Sequence, residues 1–242
     1  MEQKNDHCTE ALETKSQLIS MSAHQIRTNL SAFKWGIQML ADGDFGTIND
    51  EQKIFLEQSQ KSVADMIDII SEMLRVNHAE GASISYNFTT GTIDTVLDQA
   101  LSQFKHAFKK KGVTLDIKRD TLPEIKFDKA HMRIVFENLI DNALKYTHSG
   151  GVVFIRSCVN KTGICWSIHD TGIGIPKDES DKVFRKFYRA KNAQESGIVG
   201  TGLGLYSSRE IIQAHGGTLY LEECKKGTNI SFSLPLIAKE TE

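Results

Sequence analysis

Proline is nearly missing from this chain of 242 residues: there are three, Pro123, Pro176 and Pro235, and none in the first half. The first 80 residues also hold only three of the 18 glycines, Gly36, Gly43 and Gly46. A segment so poor in helix breakers can run as long helices, whereas the glycine-rich remainder needs turns and close backbone approaches. No apolar run approaches the ~18 residues that cross a bilayer. The start, MEQKNDHCTE, lacks the apolar core of a signal peptide. A cytoplasmic chain with no membrane segment of its own is expected, either by itself or as the cytoplasmic core of a longer protein, membrane-bound or soluble. An excess of one charge is lacking too: 29 basic against 31 acidic residues leave −2, which argues against a nucleic-acid partner. Cysteine is scarce, with Cys8, Cys158, Cys165 and Cys224 forming no CxxC pair, so neither a zinc site nor a disulfide framework is expected. Cys158 and Cys165 flank a turn at Asn160-Lys161-Thr162-Gly163 and are read as two reduced thiols facing each other across a hairpin.

The N-terminal part reads as two helices. Leu12, Ile19, Ile26, Phe33 and Leu40 recur every seven residues, and Ala23, Leu30 and Ile37 form a second row, the pattern of a bundle seam. A helix over 9–41 is broken by Asp42-Gly43-Asp44-Phe45-Gly46. Asn49 then caps a second helix with Gln52 as its capping-box partner, and Leu56, Val63, Met66, Ile70 and Met73 continue the period. Such a hairpin buries too little apolar surface alone, so dimerisation into a four-helix bundle is expected. His24 stands beside the seam.

After a boundary near His78–Ser83, four separated segments carry chemistry. In FENLIDNALKYT, on a helix opened by Asp128, Asn138, Asn142 and Lys145 share one face. Two amide oxygens and an ammonium suit a hydrated magnesium ion and phosphates, though standing alone this stripe would read as a solvated face. In DTGIGI, Asp170 ends an apolar strand and can accept a hydrogen bond from a base amino group beside Gly172 and Gly174. GTGLGL, Gly200 to Leu205, opens a helix whose free amides favour an anion; it has neither the lysine of a Walker loop nor a βαβ setting. Gly227-Thr228 enters the last strand. Between the second and third segments, VFRKFYR begins about 25 residues read as a mobile lid anchored by Phe184 and Phe187. Arg189 within it is either a phosphate contact or a solvated cation.

These segments, in this order, resemble the N, G1, F and G2 boxes of the sensor histidine kinases of two-component systems, and SAHQIRTNL resembles their H box. The resemblance implies an α+β chain: a helical hairpin dimerising into a four-helix bundle, followed by an α/β sandwich, a mixed sheet under a helical layer. The implied boundaries are a lead-in at 1–13, a dimerisation and phosphotransfer domain at 14–80 and a catalytic ATP-binding domain at 84–242. The resemblance also implies ATP and Mg²⁺ as cofactors, with Asn138 and Asn142 on the metal. Lys145, Tyr146 and Arg189 would meet phosphates and Asp170 the adenine. Gly172, Gly174, Gly200, Gly202, Leu203, Gly204, Leu205 and Thr228 would line the pocket. His24 would be the phosphorylated nucleophile and a response-regulator receiver domain the partner. ATPases of the same fold carry a water-activating glutamate where this chain has Asn138, which cannot act as that base.

Two positions depart from the family pattern. Gln25 replaces the usual acidic residue after the phosphohistidine, so the imidazolium formed on phosphorylation meets a neutral acceptor instead of a carboxylate. Asn29 replaces a proline, which predicts a straighter first helix. Thr28, one turn after His24, is read as the residue aligning water for regulator dephosphorylation, or as a threonine bonding back to its helix. The expectation is a slowed but live kinase. The alternative is a phosphatase-biased member that binds ATP and regulator.

Overall fold

The computed structural model describes residues 2–81, 86–160 and 163–236. The chain divides into two compact units, Met1–Ser85 and Tyr86–Glu242.

The first unit is a helical hairpin. α1 (Glu2–Asp42) runs 41 residues, starting earlier than the periodicity suggested and passing Asn29 without interruption. It ends where Gly43, at φ 84°, turns its N–H back to the Leu40 carbonyl at 3.2 Å. α2 (Asp50–Gly81) opens with the capping box read from the sequence: Gln52 N–H donates to Asn49 Oδ1 at 2.8 Å and Asn49 N–H to Gln52 Oε1 at 2.9 Å. The helices are antiparallel, cross-linked by Arg27 to Ser71 at 3.0 Å and Gln60 to Gln38 at 2.9 Å. The two seam rows divide the work. Ala23, Ile37 and Val63 are buried between α1 and α2, whereas Ile26, Phe33, Leu40 and Met66 are exposed on the hairpin. The side chains of Leu12, Ile19 and Met73 lie outside the described residues. The expected boundary at His78–Ser83 falls on the end of α2 and on residues 82 and 83, which also lie outside them.

The second unit is a sandwich. β2 (Thr114–Lys118), β4 (Val152–Val159), β5 (Gly163–Asp170), β7 (Thr228–Pro235) and β6 (Thr218–Glu222) make one sheet in that spatial order. β2 runs parallel to β4 and the other neighbours are antiparallel. A separate antiparallel pair joins β1 (Phe88–Gly91) to β3 (Ile125–Asp128). Alternate residues Val153, Ile155, Ile164, Trp166, Ile168, Ile230 and Phe232 are buried under a layer containing α3 (Asp94–Lys111), α4 (Lys129–Tyr146) and α6 (Gly204–Ala214). Phe136 of α4 packs edge-on to Trp166 and Phe232, with ring centroids 5.5 and 5.7 Å away.

One expectation is overturned here. Cys158 and Cys165 are joined by a disulfide instead of standing as two thiols. The turn sets them directly opposite each other on β4 and β5, with Cα atoms 5.1 Å apart, inside the span a disulfide bridges. Both project from the outward face, opposite Ile164 and Trp166. Lys161 and Thr162 of that turn lie outside the described residues.

Candidate functional site

The end of β5, the second half of α4 and the start of α6 meet around a pocket floor built largely from backbone. Asp170 closes β5 and is 5 % exposed; its Oδ1 accepts the Gly172 N–H at 2.8 Å and the Thr228 N–H at 3.3 Å. Burial pushes the Asp170 carboxyl above the usual carboxylate range, and those two N–H groups pull it back. Gly172 passes so close to the end of α4 that a Cβ there would sit 2.1 Å from the Tyr146 carbonyl oxygen. Gly174 lies against the Gly227 carbonyl, and Gly227 against that of Asp170.

On α4, Asn138 and Asn142 are half-buried one turn apart. The Asn138 amide nitrogen donates to the Gly204 carbonyl and the Ser207 hydroxyl, both at 3.2 Å, and to the Ser208 hydroxyl at 3.3 Å. The α6 contacts occupy its nitrogen, so Oδ1 is the atom left for a cation. Lys145 is exposed and pairs with Asp141 at 2.6 Å. α6 begins at Gly204 after the buried Leu203, and no side chain caps it, so its first amides are available to an anion. Leu205 is half-buried in that first turn and Thr228 is buried beside Asp170. Gly202, at φ +72°, brings the loop before α6 onto the 187–188 peptide: a Cβ there would lie 2.7 Å from both the Phe187 carbonyl carbon and the Tyr188 carbonyl oxygen.

That approach explains a second correction. Phe184 is a buried anchor of the segment after β5, but Phe187 is 62 % exposed with φ 60°. The 187–188 peptide is pressed beneath Gly202, which turns the Phe187 ring outward; Tyr188 packs against the core in its place. Glu179, 3 % exposed, fastens the segment by accepting from the Tyr188 hydroxyl at 2.8 Å and the Lys191 N–H at 3.1 Å. On α5 (Lys191–Glu195), Asn192 ties the segment to the Gly174 carbonyl at 2.9 Å. Arg189 closes the loop by donating to the Ala193 carbonyl at 3.0 Å and to that of Ile198. Its Nε is buried with no partner, and the Cβ position of Gly200 lies 3.8 Å from both this atom and the Tyr146 hydroxyl. Glu179, Asn192 and the two serines were not singled out by the sequence, because their partners are main-chain groups or residues far along the chain.

The donors present fit a nucleotide with its metal ion. An orphaned Arg189 Nε, a tyrosine hydroxyl and an open helix start suit anionic oxygens. Among the described residues no group of three or more His, Cys, Asp or Glu can cage a metal. A cation held by Asn138 and Asn142 would therefore take most of its ligands from phosphate and water, as magnesium does.

In the first unit, His24 lies on α1 between Ala23, 4 % exposed, and the exposed Gln25. The His24 side chain lies outside the described residues. Thr28, one turn on, and Asn29 are exposed.

Comparison with known proteins gives two family models. Residues 14–81 match the His Kinase A (phospho-acceptor) domain, and residues 127–238 match the histidine kinase-, DNA gyrase B- and HSP90-like ATPase model. The sensor histidine kinase WalK of Bacillus subtilis is 33 % identical over 230 residues, covering 92 % of this chain and 37 % of WalK. The adaptive-response sensory kinase SasA of Gloeothece citriformis is 29 % identical, covering 98 % of this chain and 61 % of SasA. The chain thus spans between about a third and three fifths of the length of these relatives. Among solved structures, full-length ShkA in complex with AMPPNP superposes with a TM-score of 0.72 at 22 % identity, over 93 % of this chain and 47 % of that one. The catalytic domain of histidine kinase ThkA gives 0.56 at 27 % identity, over 62 % of this chain and 99 % of that domain. No described helix is long and apolar enough to cross a membrane.

Proposed function

Because the chain belongs to the sensor histidine kinases of two-component systems, carrying their phosphoacceptor and ATP-binding domains in order, we propose that it is a cytoplasmic, homodimeric kinase core that phosphorylates His24 from ATP and passes the phosphoryl group to an aspartate of a response regulator. Its working parts are a lead-in at 1–13, a phosphotransfer domain at 14–80 and a catalytic domain at 84–242. The observation that carries this reading is the convergence of five distant segments by direct contact. Asn138 bonds Gly204, Gly172 abuts Tyr146, Gly174 abuts Gly227, and Gly202 covers the 187–188 peptide.

Asn138 and Asn142 would hold the magnesium ion that accompanies ATP, and the ion would neutralise charge on the phosphates as the phosphoryl group leaves. Asp170 accepts from the adenine amino group within the wall formed by Gly172, Gly174 and Thr228. Lys145, Tyr146 and Arg189 take phosphate oxygens, Arg189 by releasing its loop carbonyls, while Gly200, Gly202, Leu203, Gly204 and Leu205 form the phosphate-side rim. Asn138, a neutral amide already engaged with α6, leaves water without a base, so the phosphoryl group waits for His24. Gln25 accepts the other ring N–H of His24 more weakly than a carboxylate would, which slows the step. Thr28, one turn on from His24, aligns a water for hydrolysis of the regulator's aspartyl phosphate. Dimerisation covers Ile26, Phe33, Leu40 and Met66, which a single hairpin leaves in water.

Incubation with γ-labelled ATP and Mg²⁺, beside His24→Ala, tests the reading. Acid-labile, alkali-stable label absent from the variant is the expected result. Nucleotide binding without label, together with dephosphorylation of a phosphorylated regulator, would favour the phosphatase-biased alternative that Gln25 and Asn29 raise. Sustained phosphate release without a phosphoprotein would refute the kinase.

A further inference from the structure

The chain enters its second unit through a compact polar joint that the nucleotide site does not use. Asp128 ends β3, caps α4 and is 4 % exposed. Its Oδ2 accepts the Asn87 N–H at 2.7 Å, just before β1, and its Oδ1 accepts the His131 N–H at 2.9 Å. The His131 ring nitrogen Nδ1 lies 3.1 Å from Oδ2. The Asp128 main-chain N–H donates in turn to Nε2 of His215, 3.0 Å away and also 4 % exposed. Nδ1 of His215 meets the Ile211 carbonyl of α6 at 2.7 Å.

These partners fix the state of the His215 ring. A carbonyl can only accept, so Nδ1 carries the hydrogen; a peptide N–H can only donate, so Nε2 is bare. The ring is therefore neutral, and a second proton on Nε2 would face the Asp128 N–H and break that bond. The charged and titratable groups around it come from each packed element. They are Asp128 at the end of β3, His131 on α4, Tyr86 ahead of β1, with its ring 5.5 Å from that of His215, and Glu210 on α6, which acts on Tyr86. Phe88 of β1 completes the wall at 4.8 Å. Burial lowers the His215 pKa from its ordinary 6.5 and the neighbouring His131 adds to this, against the Ile211 bond and Asp128.

His215 closes the C-terminal end of α6 and Asp128 the N-terminal end of α4, so their bond ties the two helices at one end. The contacts from Asn138 to Gly204 and Ser207 tie them again about 15 Å along α4, at 1.5 Å per residue. The second tie is the floor of the nucleotide site; the first is where the incoming chain is held. We infer that His215, Asp128 and His131 form a proton-responsive positioning joint, which holds α4 against α6 while His215 is neutral and loosens the nucleotide site when His215 takes up a proton.

This rests on the nucleotide-binding reading above, and the test separates the two. The full chain is followed by histidine NMR from pH 7.5 to 5.5, and Mg²⁺ with a non-hydrolysable ATP analogue is titrated by calorimetry over the same range. His215→Gln keeps an acceptor for the Asp128 N–H but cannot titrate. Protonation of the analogue and of Asp170 affects both proteins alike. The expected result is an Nδ1–H tautomer at pH 7.5 and analogue affinity that falls at least threefold more in the wild type than in His215→Gln. The extra loss should share its midpoint with the His215 titration. A bare Nδ1, or parallel affinity profiles in the two proteins, would overturn the joint. Absence of binding at pH 7.5 would instead overturn the nucleotide reading, while the tautomer and the exchange protection of the Asp128 N–H still report on the joint.

Discussion

A methyl group at residue 172 has nowhere to go, because the oxygen it would meet belongs to the Tyr146 main chain and cannot rotate away. Gly172→Ala is expected to displace the loop, lowering nucleotide affinity at least tenfold with a loss of about 1–3 kcal/mol in stability, read by calorimetric titration and thermal unfolding. Asp170→Asn separates binding from folding. The folded pKa of Asp170 is raised, so any stability it gives is present below its ordinary 3.8 and lost as pH rises through the folded value. At pH 7 the amide should leave the melting temperature level or higher, while nucleotide binding falls about 10- to 100-fold. His215 runs the other way. Its lowered pKa gives stability above the ordinary 6.5 that is lost as pH falls through the folded value, so unfolding scans between pH 7.5 and 5.5 should show a decline that His215→Gln flattens. Asp170, Asn138 and the glycines were legible in the sequence because the residue type itself carries the chemistry at a fixed spacing. His215 and Glu179 were not: their roles are bonds to groups such as the Asp128 N–H, 87 residues away, and the Lys191 N–H.

Helices and strands announced themselves through period and caps. The Asn49–Gln52 box and the Asp128 cap formed as the local pattern implied, since both depend on residues three apart. The periodic rows of α1 were legible as a seam, but their division into a face toward α2 and a face left open needed the register of the hairpin. Phe33→Asp on the open face is therefore expected to shift sedimentation toward monomer, with part of the helical signal lost along with the dimer. Ile37→Asp, on the buried row, should unfold the hairpin. The facing of Cys158 and Cys165 was legible from the turn between them, but their oxidation state was not, because residue spacing carries no information on the redox surroundings of a pair. A non-reducing digest should recover the Cys158 and Cys165 peptides as one linked species. The ring is short, with a separation of 7 residues, and its strands are already paired, so reduction should cost at most about 2 kcal/mol.

At the scale of the whole chain, the division into Met1–Ser85 and Tyr86–Glu242 predicts separable activities. Residues 86–242 produced alone should bind nucleotide with unchanged affinity and take up no label from γ-labelled ATP; labelling of that fragment would place the phosphoacceptor outside α1. Composition made two regions legible, through the scarcity of glycine and proline before residue 80, but not the joint through which the second begins, whose residues look unremarkable one by one.

The pocket floor has a consequence for how such a chain can change. Its shape is stored in atoms that are not there: the missing side chains of Gly172, Gly202 and Gly227 let one stretch of peptide rest on another. A site written in vacancies constrains a handful of glycines absolutely, beside the few side chains, such as Asp170 and Asn138, that carry its chemistry, and leaves the rest of the surroundings free to be rewritten. Deep mutational scanning should then give a map with sharp, isolated points of intolerance in a permissive field. A lineage of such sites could drift to about 30 % identity, as this chain stands from WalK, while the cavity itself stays unaltered.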